Sequence, residues 1–185
     1  MPTVRRADAR QERSRRPVEQ FHNVRWDCRV VTRSQPSRMF TMVFTEWFAI
    51  VAFYRLNRAG YLALGRLWLA LRVITSPLNP IIRIFVPSEI DYRADIGAGM
   101  RILHPQLGVV VSASTVAGTG LILAGGNAIG GSAPILGNHC QLGINAVIIG
   151  PVTLGDHVTV GAGAVVVDGF SGPGTLVGVP ARSTS

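Results

Sequence analysis

From Leu136 onward an aliphatic residue returns at every sixth position: Leu136, Leu142, Ile148, Leu154, Val160 and Val166. Gly137, Gly143, Gly155 and Gly161 follow four of them, and Cys140, Ala146, Val152, Val158 and Ala164 stand four places on from the first five. A helix repeats every 3.6 residues and a flat strand every two, so a strict six fits neither. It is the signature of a β-helix, in which each hexapeptide is one short strand and turn and three hexapeptides make a triangular coil. The aliphatic side chain stacks on its equivalent in the next coil, and the small residue lets the corner turn tightly. Each coil covers the apolar face of its neighbour, so the repeats depend on one another. Simple strand alternation in a sandwich gives no reason for glycine to follow the aliphatics. The expected fold is therefore all-β, a left-handed parallel β-helix over about Ile90 to Arg182, with a short α-helical region before it.

The same period runs earlier in two displaced frames. Ile90, Ile96 and Ile102 form one, and Val110, Val116 and Ile122 the other. Each displacement implies an insertion at a corner, one near Pro105–Val109 and one near Gly125–Pro134. Gly125, Gly126, Gly130 and Gly131 predict that the second is a flexible loop. Breaks in a strict repeat are where a solenoid carries its binding surface.

The N-terminal part is different material. Gly60 and Gly65 are the only glycines before Gly97, and sixteen of the eighteen basic residues, all arginine, precede residue 94. The chain divides into a basic, partly disordered leader (1–38), a helical segment (39–86) and the repeats (87–185). Residues 1–20 show no periodicity, and a short helix is possible over Val24–Val31. Phe40, Val43, Phe44, Phe48, Val51 and Ala52 recur at helical spacing, with Gly60 as the expected break. Leu62 to Ile74 predicts a second helix ending before Pro77, apolar all round and hence buried, against another subunit. Glu46, Arg55 and Arg58 limit the apolar run Met39–Tyr54 to less than a membrane-spanning length of roughly 20 residues. The net charge of +8 suits anionic partners in principle. With no zinc-finger spacing, recognition helix or aromatic stripe, no nucleic-acid partner is expected. A cytoplasmic protein, with possible peripheral membrane contact through its N-terminal region, is the expectation.

Candidate chemistry is sparse. Cys28 and Cys140 are isolated, and the histidines lack metal-ligand spacing, so neither a disulfide framework nor a metal site is expected. His22 lies in the leader; His139 and His157 fall at turn positions of regular hexapeptides. His104 lies at the first break in the repeat, and a histidine there can remove a proton from a hydroxyl near neutral pH. Glu89 precedes it by a little less than one coil, so a carboxylate and an imidazole meet near adjacent corners, a base with its orienting acid. Asp91 and Asp95 are rivals for that acid on spacing alone.

The stretch from Pro87 to His104, the string Gly108-Val-Val-Val111, Pro134–Asn138, Leu142–Ala146 and Val177–Arg182 together resemble the serine O-acetyltransferase family. The resemblance covers Glu89 to Arg182 strongly and Phe44–Ile84 loosely. It implies trimers of left-handed β-helices, sometimes paired into hexamers, with acetyl-CoA along the groove between neighbours. By that likeness His104 is the catalytic base, Glu89 its supporting acid, and Ile144, Ala162, Gly163 and Arg182 line the cofactor groove. Two positions of the implied substrate pocket depart from the pattern. Leu103 stands where the best-known members carry an acid, and Ala133 where they carry a second histidine.

The expected function is thus acetyl transfer from acetyl-CoA to a hydroxyl, L-serine first. A sugar hydroxyl of polysaccharide or glycolipid synthesis is the main alternative, and a β-helix scaffold without catalysis is the third.

Overall fold

The computed structural model describes residues 17–32, 46–75 and 88–184. Among the described residues three helices, α1 (Pro17–Thr32), α2 (Glu46–Leu64) and α3 (Arg66–Thr75), precede fifteen short strands. The strands β1 (Glu89–Ile90), β4 (Val109–Val111), β7 (Asn127–Gly130), β10 (Val147–Ile149) and β13 (Val165–Val166) stack in parallel as one face of a prism. A second face holds β2 (Asp95–Ile96), β5 (Val116–Ala117), β8 (Ile135–Leu136) and β11 (Thr153–Leu154). The third holds β3 (Arg101–Ile102), β6 (Ile122–Leu123), β9 (Gln141–Leu142), β12 (Val158–Val160), β14 (Gly174–Gly178) and β15 (Ala181–Thr184). This is the expected left-handed β-helix.

Its interior is built from two residues per hexapeptide. Leu136, Leu142, Ile148, Leu154, Val160 and Val166 are buried, and so are Cys140, Ala146, Val152, Val158 and Ala164 beside them. Each large aliphatic so enclosed contributes about 1.5–3 kcal/mol over its exposed state. The upstream frame differs from the expected one by one residue. Ile96 and Ile102 are buried, but the buried series continues as Val111, Ala117, Leu123 and Ile129, whereas Val110 is 54% exposed. Successive side chains of a strand point to opposite faces, so a one-residue slip exchanges inside for outside. Val110-Val111 and Ile122-Leu123 are pairs of aliphatics, and spacing alone does not choose between their members.

The insertions are smaller and stiffer than expected. Twenty-one residues separate Glu89 from its partner Val110, against eighteen from Val110 to Ala128. The three extra residues form a tight turn, Pro105–Leu107, closed by Gly108 N–H donating to Pro105 O at 3.0 Å. The second insertion is a single residue: nineteen separate Val116 from Ile135, and eighteen separate Ile135 from Thr153. Asn127–Gly130 is a paired strand, not part of a flexible loop.

The helices close the N-terminal end of the prism. The first coil has no coil beneath it, and its outward backbone groups need partners. Tyr54 supplies one, its hydroxyl donating to Ala94 O at 2.8 Å. Arg55 donates to Ile96 O and, at 2.6 Å, to Gly97 O, and Arg58 donates to Ala94 O and Arg93 O. Ile50, Val51 and Tyr54 join the core of the solenoid. The buried Arg55 guanidinium is paired with the buried Asp27 of α1 at 3.2 Å, and Asp27 also accepts from Gly99 N–H.

Two expectations for this region change. Residues 17–20 belong to α1, where Gln20 is buried within reach of Arg55 (3.4 Å); residues 1–16 lie outside the described residues. Gly60 does not break α2, because it serves close approach: a Cβ there would sit 2.6 Å from the Trp68 ring. The helix ends at Gly65, which takes φ +50. Leu67, Leu69, Leu71, Val73 and Ile74 of α3 are exposed in the single chain, the apolar surface for which burial against another subunit is expected. Within the chain α3 is held by Arg72 over the Tyr92 ring at 4.3 Å. No helix among the described residues is long and apolar enough to cross a membrane. Phe40–Phe44 and the connector from Pro77 to Pro87 lie outside the described residues.

Candidate active site

The prism has three edges, and they sort the predicted residues. The edge where face three passes into face one carries Leu103 and His104 after β3, Gly125 and Gly126 after β6, Ile144 after β9, and Ala162 and Gly163 after β12. Glu89 opens β1 on that edge, one coil below Val110. The levels are fastened along it: Gly126 N–H donates to Gly108 O at 2.7 Å, Asn145 N–H to Gly125 O at 3.0 Å and Gly163 N–H to Ile144 O at 2.8 Å. Glu89, Leu103, His104, Ile144, Ala162 and Gly163 are all exposed on the single chain. The residues predicted as base and orienting acid, and three of the four predicted for the groove, thus share one open edge.

Glycine is required at several of its levels. A Cβ on Gly126 would overlap the Asn145 side chain, and one on Gly143 would lie 2.6 Å from Ala162 N. Only bare backbone lets the coils approach there. His104 begins the Pro105–Leu107 turn at φ −125, ψ 76, and its side chain makes no capping bond. Its backbone N–H donates to Ala124 O at 3.0 Å, and its carbonyl accepts from Leu107 N–H at 3.2 Å. The imidazole therefore projects from a fixed backbone.

The rival acids are committed elsewhere. Asp91 accepts three hydrogen bonds from Arg93: from the backbone N–H (2.8 Å), Nε (3.1 Å) and Nη2 (2.9 Å). Partial burial would raise its pKa, but those bonds and the Arg93 charge hold the carboxyl below the ordinary aspartate range. Asp95 is paired with Arg58 at 2.8 Å.

Ala133 is not brought to His104 within one chain. It lies on the next edge, between β7 and β8, at φ +51, its N–H donating to Ser114 Oγ at 3.3 Å. Arg182 sits on β15 opposite Val177, whose Cγ1 lies against Gly161, and its guanidinium is 3.1 Å from Asp168. His139 and His157 stack on the third edge, 5.1 Å between centroids, both exposed and both at positive φ, as their turn positions predict. Among the described residues no three His, Cys, Asp or Glu side chains converge to hold a metal. Sequence reading missed Asn127, a buried amide on the inner side of the His104 edge. Its signal was a polar residue two places before the core aliphatic Ile129.

Comparison with known proteins agrees with this architecture. Residues 133–168 match the family model for the bacterial transferase hexapeptide (six repeats). The chain is 31% identical over 119 residues, 60% of its length, to the serine acetyltransferase of Synechococcus elongatus, and spans about half (48%) of that relative. It is 36% identical over 129 residues, 64% of its length, to an Escherichia coli protein named for an acetyltransferase role in colanic acid biosynthesis (WcaB), covering 75% of it. The structure of the serine acetyltransferase of Neisseria gonorrhoeae, solved with serine, superposes with a TM-score of 0.73 at 26% identity, over 91% of this chain and 70% of that one.

Proposed function

The chain belongs to the hexapeptide-repeat, left-handed β-helix acyltransferases, and from that premise we propose that it moves an acetyl group from acetyl-CoA to a hydroxyl, L-serine first among acceptors. The observation that carries this reading is the single edge bearing Glu89, His104, Ile144, Ala162 and Gly163. His104 takes the proton of the acceptor hydroxyl while its oxygen attacks the thioester carbonyl. The C–S bond then breaks, and the imidazolium returns the proton to the leaving CoA sulfur. Glu89 holds the imidazole in the tautomer that presents a free nitrogen and offsets the transient positive charge.

Because this edge is open on one chain and Ala133 occupies another, the complete site lies between copies, in a trimer or a pair of trimers. The α3 apolar residues are the surface for pairing, or for contact with a membrane. Use of acetyl-CoA as donor supports a cytoplasmic location.

A sugar hydroxyl is the second reading. It is favoured by Leu103 and Ala133, which offer no charge or hydrogen bond from their side chains to an amino acid's ammonium or carboxylate, and by the likeness to the colanic acid relative. Leaving a substrate charge without a partner costs discrimination.

Steady-state release of CoA thiol with L-serine, homoserine and a panel of sugars decides between the two. Selective turnover of serine supports the first reading, and turnover of a sugar alone replaces it. Absence of acetyl-CoA binding would reduce the protein to a scaffold.

A further inference from the structure

The inward position two places before a core aliphatic is apolar in most hexapeptides, as at Met100, Leu121, Cys140, Ala146 and Val158, and polar at Thr115 and Asn127. Asn127 occupies that position in β7 and is 1% exposed. A primary amide in such a place destabilises the fold unless its hydrogen bonds are made. They are made, and all to one edge. Oδ1 accepts from Gly125 N–H at 2.9 Å, and Nδ2 donates to Gly143 O at 2.7 Å and to Ala146 O at 3.4 Å. The amide therefore ties the turn at Gly125 to the turn one coil above.

The turn at Gly125 itself lies one coil above His104 and packs against it. Gly125 has φ +126, a region closed to L side chains, and a Cβ added to it would stand 2.5 Å from His104 O and 3.2 Å from His104 Cβ. His104 N–H is bonded to Ala124. The backbone that carries the imidazole thus rests on a glycine whose conformation is held by an amide inside the prism.

We propose that Asn127 is a positioning residue for His104, acting through Gly125 and touching no substrate. The proposal rests on His104 being the base. Loss of the amide frees Gly125 to change conformation and lets the imidazole shift from the acceptor hydroxyl. A misplacement of about 1 Å is sufficient to lower a rate about 100-fold.

The test compares Asn127→Val with Thr115→Val. Thr115 is an equally buried polar residue, bonded to Ser112 Oγ at 3.1 Å on the edge between faces one and two. In Asn127→Val, kcat with the acceptor that supports turnover should fall about 10- to 100-fold, with KM for acetyl-CoA within threefold of wild type. The 13Cε1 resonance of His104, assigned by its loss in His104→Ala, should move while those of His139 and His157 stay. Thr115→Val should lose thermal stability without either change.

A kcat within twofold of wild type in folded Asn127→Val overturns the proposal, as does an equal loss in Thr115→Val. If Asn127→Val does not fold, Gly125→Ala carries the same test, because its Cβ presses directly on His104. His104→Ala is measured alongside: full activity there defeats the assignment of the base, whereas an inactive His104→Ala beside a fully active Asn127→Val defeats only the positioning role.

Discussion

The carboxylate of Asp91 is enclosed by Arg93, which gives it three hydrogen bonds of 2.8–3.1 Å. That pairing separates two acids two residues apart in the sequence. Asp91 is spent on a turn, and Glu89, at the mouth of β1, is the acid on the His104 edge.

The dyad is tested by substitution. His104→Ala is expected to lower turnover about 10²–10⁴-fold while acetyl-CoA affinity, measured by calorimetry, stays within threefold. Glu89→Gln should be milder, since the amide still accepts a hydrogen bond but lacks the charge. Asp91→Asn, His139→Ala and His157→Ala should keep near-wild-type rates. Greater damage from Asp91→Asn than from Glu89→Gln, with the fold intact, would reassign the orienting acid.

The Asp91 pair also has a pH signature. Its folded pKa is depressed, so its stabilising effect is full above the unfolded value of about 3.9 and is lost as pH falls through the lower folded value. Between pH 5 and 8 Asp91→Asn should therefore leave the pH dependence of both stability and rate unchanged. A limb of the rate profile in that range that moves in Asp91→Asn would show that the carboxylate acts in catalysis.

The groove is tested at Ala162, which is exposed and packs nothing inside the prism. Ala162→Glu should raise KM for acetyl-CoA at least about tenfold, one negative group facing another, and change stability by no more than about 0.5 kcal/mol, as surface substitutions do. An unchanged KM would move the cofactor off this edge. Light scattering of the wild-type protein should give the mass of three or six copies, and a monomer that binds acetyl-CoA tightly would contradict a shared groove.

The N-terminal cap is tested at Asp27. Removing one partner of a buried ion pair typically costs about 3–5 kcal/mol. Asp27→Ala, which leaves Arg55 without its carboxylate and Gly99 N–H without an acceptor, should lower Tm by roughly 10 °C. Calorimetry checks it, and a shift under about 2 °C would mean that the helices contribute little to holding the first coil.

Cys140 is buried, and its thiol donates to Gly155 O at 3.3 Å. Burial pushes the thiol above its ordinary range, so little thiolate is present at neutral pH. In a Cys28→Ser background, a disulfide reagent should label the native protein on the timescale of unfolding and the denatured protein at once. Rapid native labelling would place Cys140 at the surface.

The six-residue period from Leu136 to Val166 determined the solenoid by itself, because no other regular structure repeats aliphatics at that interval. His104 stood out as a candidate for the same reason, being a titratable side chain where the period breaks. Which aliphatics face inward before Ile129 was decided only by stacking between coils. Val110 and Val111 are chemically alike, and the three-residue turn at Pro105–Leu107 sets which one meets β7 from inside. Spacing could not show that Asp91 and Asp95 are paired with arginines either, since Arg58, the partner of Asp95, lies more than thirty residues away in the chain. The two glycines of α2 and its end divided likewise: a residue without a side chain serves equally to end a helix, as Gly65 does, or to admit an indole ring, as Gly60 does. The separation of Ala133 from His104 is a property of the prism, whose three edges keep apart residues that a linear motif lists together.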